Sequence, residues 1–346
     1  MNAALICLAL IAPGQWQAQE GGTRARLRGV SVVDRDVAWA SGNDGTCLRT
    51  ADGGTTWKLL SVSDATTLDF RDVQAVDAGT AHLLSIGPGP LSRIYKTGDA
   101  GSTWTLSHQN RDPAGFLDAI AFWDAEHGLA LGDPVGGRFV ILATDDGGRT
   151  WEPAPAAGMP EALRGEGAFA ASGTCLVVQG GRQAWFATGG GATARVFRSS
   201  DRGRTWAVAD TPIRAGNPSS GVFALAFRDP DHGVAVGGDH KRPDEPGDHI
   251  ATTDDGGRTW TPAARSSRSG FRSAVAFVPG HGPAAATLLA VGPSGWDTST
   301  DGGRTWGRSG AEGFHALGFA AAAEAGWAVG EKGRIARFEP GSLRPR

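Results

Sequence analysis

Short apolar runs, in which small and large residues alternate, recur along the chain, and a small-residue or acidic turn follows each run. AIAF at 119–122 and ALAF at 224–227 are two such runs, and the turns DAEHG and DPDHG follow them. A period of two residues is typical of β-strands, whereas no segment shows the period of an amphipathic helix. The pattern therefore predicts an all-β protein.

An eight-residue motif, Ser/Thr-x-Asp-x-Gly-x-Thr-Trp, recurs along the chain, and we call it the Asp-Trp motif. Its aspartates follow one another at intervals of 47, 47, 55, 54 and 46 residues. They are Asp52, Asp99, Asp146, Asp201, Asp255 and Asp301. Such an interval is typical of a four-stranded propeller blade, with the motif in the turn between the third and fourth strands.

Two fragments at the ends of the repeat array predict how the ring closes. Residues 313–338 repeat the first three strands of a blade but contain no Asp-Trp motif, and residues 15–18 resemble the fourth strand that starts at the motif tryptophan. Pairing them completes a seventh blade and leaves no open sheet edge. We therefore predict a seven-bladed propeller over residues 15–340, with blade 7 completed by residues 15–20 and a tail at 341–346.

Folding alone can account for the residues of the Asp-Trp motif. The aspartate can accept backbone N–H bonds within its own turn, and the glycine two positions later can adopt a positive φ. The tryptophan supplies an apolar anchor with one N–H to satisfy. Calcium is the alternative, but it needs six to eight converging oxygens, which one aspartate per turn does not supply. We expect no metal and no cofactor.

The N-terminal segment predicts export. Residues 1–14 hold a short apolar run ending in small residues, which is typical of a signal peptide cleaved near Gly14, although no Lys or Arg precedes the run. An N-terminal strand is the alternative. No other run is long enough to span a membrane, and a net charge of −3 argues against nucleic acid as a partner. We expect a periplasmic or extracellular monomer.

The cysteines give little reason to predict a disulfide. Cys47 and Cys175 fall in the first and fourth repeats, which are distant on a ring. We expect both to be buried thiols.

The Asp-Trp motif and its spacing resemble the Asp-box, or bacterial neuraminidase repeat, superfamily over residues 15–340. That superfamily includes sialidases, some endoglucanases, sortilin-type receptors and the photosystem II stability/assembly factor family. The DxxHGxAxG segments before the motifs most resemble the last group. This resemblance implies a non-catalytic lumenal or periplasmic assembly factor that binds a protein client, such as an acidic segment of a membrane complex.

The residues argue against a sialidase and leave a two-carboxylate glycosidase open. A sialidase needs a nucleophilic tyrosine, but Tyr95 occupies a slot that holds Leu142 and Phe197 in other repeats, which indicates strand packing. A glycosidase needs two suitably spaced carboxyl groups, and the spacing cannot be seen in the sequence. A carbohydrate-active hydrolase is therefore the alternative to a binding protein.

Strand direction places the starts of the first strands on the face opposite the Asp-Trp motifs, around the channel. The basic residues aligned at these starts are Arg28, Arg71, Arg272 and His315. The acidic residues that follow the second strands on the same face are Asp44, Asp133, Asp239 and Glu331. Two interpretations stay open. The arc is a funnel for an acidic peptide or another anion, or a ring of salt bridges that only satisfies the channel mouth.

An insertion at residues 239–249 follows the second strand of the fifth repeat on that same face. Its mixed charge and two prolines predict a solvated loop that either contacts a partner or is a tolerated insertion. A metal site of His240, Asp244, Asp248 and His249 is a weaker alternative. His127 and His232 recur in the turn between the first two strands, and we expect structural roles for them. Two Gly-rich segments, 180–185 and 188–193, are expected to be long turns.

Overall fold

The computed structural model describes residues 15–264, 270–280, 286–321 and 325–339. Within them, seven four-stranded antiparallel sheets form the blades of a propeller, and the first strands of neighbouring blades contact each other around the axis. The predicted all-β, seven-bladed fold is confirmed. The predicted signal segment 1–14 and tail 341–346 lie outside the described residues.

Each blade runs from an innermost to an outermost strand. Blades 1 to 3 contain β2 (Leu27–Val32), β3 (Ala38–Gly42), β4 (Cys47–Thr50) and β5 (Lys58–Leu60); β6 (Asp69–Ala75), β7 (Ala81–Ile86), β8 (Arg93–Thr97) and β9 (Thr105–Gln109); β10 (Leu117–Phe122), β11 (Gly128–Val135), β12 (Arg138–Thr144) and β13 (Glu152–Pro153). Blades 4 and 5 contain β14 (Leu176–Gln179), β15 (Gln183–Ala187), β16 (Ala194–Ser199) and β17 (Ala207–Thr211); β18 (Ser220–Phe227), β19 (Gly233–Asp239), β20 (Ile250–Thr253) and β21 (Thr261–Pro262).

The last two blades include both ends of the described chain. They contain β22 (Ala274–Phe277), β23 (Leu288–Gly292), β24 (Gly295–Ser299) and β25 (Gly307–Gly310); β26 (Ala316–Phe319), β27 (Gly326–Val329), β28 (Ile335–Glu339) and β1 (Gln15–Gln19). Short 3-10 helices lie at Gly89–Leu91, Ala156–Gly158 and Glu331–Gly333. Over the described ranges, no helix combines the length and apolar character that a membrane crossing requires.

The N-terminal strand closes the ring, as predicted. β1 pairs antiparallel with β28, and Trp16 lies opposite Phe338 in the register. At the end of β1, the Gln19 side-chain oxygen accepts hydrogen bonds from the indole N–H groups of Trp57 and Trp327, at 3.0 and 2.9 Å. Because these tryptophans belong to blades 1 and 7, one amide joins the first blade to the last.

The apolar core lies between neighbouring blades rather than at one centre. Trp39 of blade 1, for example, is fully buried in a cluster with Phe70 and Leu83 of blade 2. Tyr95 joins the same cluster, where it is 4% exposed and meets Phe70 edge to face at 5.9 Å. The tyrosine therefore packs in a strand, as its position in the repeats predicts.

The cysteines are buried in different blades. Cys47 starts β4 of blade 1, and Cys175 directly precedes β14 of blade 4. Both are free thiols and fully buried, and burial raises the pKa of each above its ordinary value.

The Asp-Trp motif forms the predicted turn. In its first copy, Asp52 accepts hydrogen bonds from the Thr50 hydroxyl (2.9 Å), the Thr56 backbone N–H (2.9 Å) and the Thr56 hydroxyl (2.6 Å). These bonds lower the pKa of Asp52, and Gly54 adopts a φ of +83°. The carboxylate is therefore engaged within its own turn.

The motif glycine also contacts the preceding blade, which the sequence did not reveal. A β-carbon built on Gly148 of blade 3 would lie 2.6 Å from the His82 ring of blade 2, and one on Gly303 would lie 2.6 Å from Val234. The glycine is therefore required both for its positive φ and for close packing between blades. Each such turn helps to hold two neighbouring blades together.

His82 is a polar residue at an otherwise apolar position. The residues at equivalent positions of the second strands are Trp39, His82, Leu129, Trp185, Val234, Leu289 and Trp327. His82 is fully buried and stacks on Phe122 at 4.3 Å, and neither ring nitrogen has a hydrogen-bond partner among the described residues. Burial, helped by the nearby Lys96, lowers the pKa of His82 to about 3.

This lowered pKa predicts a loss of stability in acid that a single substitution removes. The unfolded chain takes up a proton below about pH 6.5, whereas folded His82 stays neutral, so stability falls as the pH drops from there towards the folded pKa. The loss reaches at most about 3 kcal/mol at pH 4. We expect His82→Leu to reduce this loss. The measurement is the free energy of unfolding in urea at about pH 6.5 and at pH 4.

The reciprocal variant is the matched control, because Leu129 holds the same position in blade 3. Leu129→His should steepen the acid dependence. If neither variant changed the pH dependence of the free energy of unfolding, a buried neutral His82 would not be the cause of the loss in acid.

Candidate functional site

A cavity of about 600 Å³ lies at one mouth of the central channel. Its lining includes residues at the first-strand starts, such as Arg28 of blade 1 and His315 of blade 7. The Asp-Trp motifs lie at the other end of these strands, where Gly147 donates to the carbonyl of Glu126 in the turn that follows β10. The cavity is within the usual size range of ligand sites, and we call it the axial pocket.

In four of the blades, a β-bulge decides which side chain of the first strand enters this pocket. In β2, β6, β10 and β18 the pairing with the second strand skips one residue, and that residue lines the pocket. The skipped residues are Arg28, Arg71, Asp118 and Phe223. The residue before each bulge points the other way and is buried, as Leu27 and Leu117 are.

One wall of the pocket is basic. We define the basic wall as Arg26, Arg28 and Arg71, of which Arg26 was not foreseen in the sequence. Arg71 donates from Nε to Asp69 at 2.9 Å and from a terminal nitrogen to the carbonyl of Ala170 at 2.9 Å. Arg26 lies 3.6 Å from the same Asp69 carboxylate oxygen. One carboxylate is therefore shared between two of the guanidinium groups.

Arg28 lies beside these pairs with less compensation. Its Nε is buried and has no hydrogen-bond partner in the described part of the chain. Burial, followed by the like charges of Arg71 and Arg26, lowers the pKa of Arg28 to about 10. The guanidinium group of Arg28 stays charged at neutral pH. A bound anion would compensate for the cost of burying this charge and for its repulsion from the other guanidinium groups.

His315 lines the pocket but does not add a positive charge at neutral pH. Its Nε2 lies 2.8 Å from a carboxylate oxygen of Glu331. Burial and the nearby positive charge of Arg28 outweigh this contact and lower the pKa of His315. The pair is therefore a hydrogen bond from a neutral imidazole to Glu331, one of the predicted acids of this face.

Arg272 lies behind the pocket surface rather than in it. It is 1% exposed, and its Nε donates to the buried Asp297 at 2.7 Å. A β-carbon built on Gly292 would lie next to the Cα of Arg272, just as one built on Gly237 would lie next to the Cα of Val222. Val222 directly precedes the bulge of β18, so Arg272 corresponds to the buried residue before a bulge. The predicted alignment of Arg272 with Arg28 is thus wrong by one residue. The bulge cannot be recognised from the pattern of apolar residues in the sequence.

The remaining predicted acids have different surroundings. Asp133 lines the pocket and accepts a hydrogen bond from the N–H of Ala168 at 2.9 Å. Asp239 is buried and accepts from the Ser219 hydroxyl at 2.7 Å, which anchors the start of the insertion loop. Asp44 is exposed in a tight turn with a φ of +55°. Of these three, Asp133 alone belongs to the described pocket lining.

Asp118 is a pocket residue that the sequence analysis missed. It is 1% exposed, and its Oδ2 has no hydrogen-bond partner within the described ranges. Burial and the neighbouring Asp133 raise the pKa of Asp118 well above its usual range. A lone aspartate in an otherwise apolar strand, FLDAIAF at 116–122, was the signal that could have found it.

The insertion loop 239–249 contributes to the pocket. His240 and Pro243 are among the lining residues, and the Pro243 carbonyl accepts a hydrogen bond from the N–H of Phe271 at 2.9 Å. The Nδ1 of His240 contacts the Ser219 carbonyl, and the Nε2 of His249 contacts the Glu245 carbonyl. Over the described ranges, no group of three His, Cys, Asp or Glu side chains could hold a metal ion.

The other segments singled out in the sequence have local partners. His127 and His232 contact Asp124 and Asp229 through Nδ1, at 2.8 Å in both turns. These histidines hold the turn between the first two strands, away from the pocket. The segment 180–185 was expected to be a long turn, but only residues 180–182 form one, since β15 begins at Gln183. The segment 188–193 connects β15 to β16.

Comparison with solved structures shows the same fold in proteins of low sequence identity. A structure of YCF48 bound to D1 peptide is 19% identical with a TM-score of 0.66, covering 93% of this chain and 96% of that one. YCF48 from Cyanidioschyzon merolae is 15% identical with a TM-score of 0.65, covering 94% and 99%. No protein family description and no curated protein matches the sequence.

An enzyme shares the fold as well. The GH74 xyloglucanase from Xanthomonas campestris is 19% identical with a TM-score of 0.65. The match covers 96% of this chain, which spans 55% of the length of that enzyme. At such identities the likeness shows the fold, and proteins with this fold include both peptide-bound and carbohydrate-active ones.

The raised pKa of Asp118 predicts a pH-dependent stability. Above about pH 4 the unfolded chain gains by ionising this carboxyl, whereas the folded protein keeps it protonated, so stability declines with rising pH towards the folded pKa. Asp118→Asn removes the titration. We therefore expect the melting temperature of the variant, relative to the parent, to rise between about pH 4 and about pH 8.

Asp44→Asn is the matched control, because it neutralises an exposed carboxyl on the same face. Its relative melting temperature should change less over the same range. A pH-independent difference for Asp118→Asn would show that this carboxyl is ionised in the folded protein.

Proposed function

We propose that this chain is an exported, non-catalytic propeller that binds an acidic segment of a protein partner in its axial pocket and acts as an assembly or stability factor. The observation that carries the proposal is the under-compensated Arg28 beside Arg26 and Arg71. Asp69 pairs with Arg26 and Arg71 but not with Arg28, whose attraction to Asp69 and Glu331 does not offset its burial and the like charges beside it. The three guanidinium groups together form a receptor for an anionic ligand.

Two further observations support a peptide as that ligand. The pocket is a wide channel mouth lined by residues of different blades, which suits a chain segment better than a small ion. A protein of the same fold and almost the same length has been solved with a peptide bound. The resemblance to the photosystem II stability/assembly factor family adds the assembly role, and the apolar segment 1–14 adds the export.

Charge reversal tests the proposal directly. We expect Arg28→Glu to weaken the binding of fluorescently labelled acidic peptides by at least about tenfold, because it replaces an attraction at a desolvated position by a repulsion. Fluorescence anisotropy gives the dissociation constants. The peptides are a pool with a core of aspartates in a Gly/Ser background.

Arg149→Glu is the control variant, because Arg149 is exposed in the third Asp-Trp motif on the opposite face. It makes the same change in net charge and should alter the affinity by less than about twofold. Equal losses in the two variants would show a non-specific charge effect and overturn the pocket as the binding site.

A glycoside hydrolase is the second candidate, and the pair Asp118 and Asp133 favours it. Both carboxyl groups line the pocket, and a raised pKa suits a general acid. Against it, both belong to neighbouring strands of blade 3, whereas hydrolysis needs carboxyl groups on opposite sides of the scissile bond.

A turnover assay separates the two candidates. Our proposal predicts that neither the parent protein nor Asp118→Asn releases reducing ends from xyloglucan above a protein-free blank. Release by the parent protein that Asp118→Asn abolishes, while the variant remains folded, would establish the hydrolase instead.

A further inference from the structure

The side of the axial pocket across from the arginines is aromatic. We define the aromatic wall as Phe169, Phe223 and Phe271, all of which line the pocket. Phe169 stacks on Phe223 with ring centroids 3.9 Å apart, and Phe223 meets Phe271 edge to face at 4.6 Å. Phe223 and Phe271 are buried, whereas Phe169 is half-buried, so Phe169 offers the accessible surface of the wall.

Two glycines make room for the Phe169 ring. A β-carbon on Gly189 would lie 2.5 Å from a ring carbon of Phe169, and one on Gly221 would lie 3.1 Å from the same carbon. Gly189 bridges to both Gly167 and Gly221, which brings blades 4 and 5 together beneath the ring. Any larger residue at Gly189 would displace the phenyl group.

The loop that carries Phe169 is fixed by a buried acid. Glu166 accepts hydrogen bonds from the Thr188 hydroxyl at 2.6 Å, from Arg195 Nε at 2.8 Å and from the backbone N–H of Leu163 at 2.7 Å. Glu166 is 6% exposed and Arg195 is 7% exposed. The wall is therefore organised before any ligand arrives, which lowers the entropy cost of binding.

The two walls meet within the pocket. Blades 1 and 2 supply the arginines, whereas Phe169 precedes blade 4, and Phe223 and Phe271 belong to blades 5 and 6 on the far side of a seven-membered ring. Arg71 nevertheless donates to the carbonyl of Ala170, the residue that follows Phe169. A carboxylate on the arginines and an apolar group on the wall would therefore lie close together in one ligand.

We propose that the axial pocket recognises a peptide segment in which an aromatic or large aliphatic side chain lies next to an acidic residue, the apolar side chain packing against Phe169. This inference rests on the proposed function and adds the partner's chemistry to it. Arginines alone would accept any anion, whereas a preformed aromatic surface beside them selects an amphipathic segment.

The test compares two pools of labelled peptides with the same charge. Both have a core of aspartates in a Gly/Ser background, with phenylalanine beside an aspartate in one pool and alanine in the other. We expect the parent protein to bind the phenylalanine pool at least about tenfold more tightly, because a phenyl ring is buried on the wall.

Substitution of the wall locates that preference. Phe169→Ala should abolish the difference between the pools, because neither peptide can then pack an apolar side chain on that ring. Phe169→Leu retains an apolar side chain and should keep part of the difference in affinity between the pools. This variant replaces Phe169→Ala in the test if the alanine variant does not fold. Leu163→Ala is the matched control, because Leu163 is exposed on the same loop and is not part of the described pocket lining.

The outcomes separate the inference from the proposed function. Equal affinity of the parent protein for both pools would overturn the aromatic subsite and leave the acidic-peptide receptor standing. Discrimination that persists in a folded Phe169→Ala would overturn the assignment to this wall. Failure of the parent protein to bind either pool would overturn both the aromatic subsite and the acidic-peptide receptor. An equal loss of affinity for the two pools in Arg28→Glu would support binding of the acidic residues by the basic wall and of the apolar side chain by the aromatic wall.

Discussion

A single extra residue near the start of the first strand controls the chemistry of the axial pocket. In β2, β6, β10 and β18 the bulge turns that residue towards the channel, whereas the residue before it packs in the core. The four residues so presented are two arginines, an aspartate and a phenylalanine: Arg28, Arg71, Asp118 and Phe223. The blades share one fold, yet the pocket is asymmetric because this position holds different residues in different blades.

The fold could be predicted from the sequence because its determinants are local and repeated. Each Asp-Trp motif supplies the hydrogen-bond donors for its own aspartate, as Thr50 and Thr56 do for Asp52. The seventh blade followed from two complementary fragments. The packing of the motif glycines against the preceding blade did not follow, since contacts such as that of Gly148 with His82 arise only when blades are assembled.

The pocket could be predicted in part, and the bulge explains the rest. A slip of one residue exchanges the positions that face the core with those that face the pocket. Aligning the apolar patterns therefore placed Arg272 in the arc and passed over Asp118 and Phe223. Counting basic residues also overestimated the positive charge of the arc, because Asp297 neutralises Arg272 and burial keeps His315 neutral. The aromatic wall depends on loops whose positions are set by tertiary contacts, such as the one anchored by Glu166.

If the axial pocket is the binding site, ligands contact the bulge residues and not the recurring motif turns on the other face. The most direct measurement is photo-cross-linking with an acidic peptide that carries a photoreactive phenylalanine, followed by mass spectrometry of the labelled protein. We expect adducts at residues 26–28, 69–71 and 169–171. Adducts concentrated in the Asp-Trp motifs, such as residues 144–151, would contradict binding in the axial pocket.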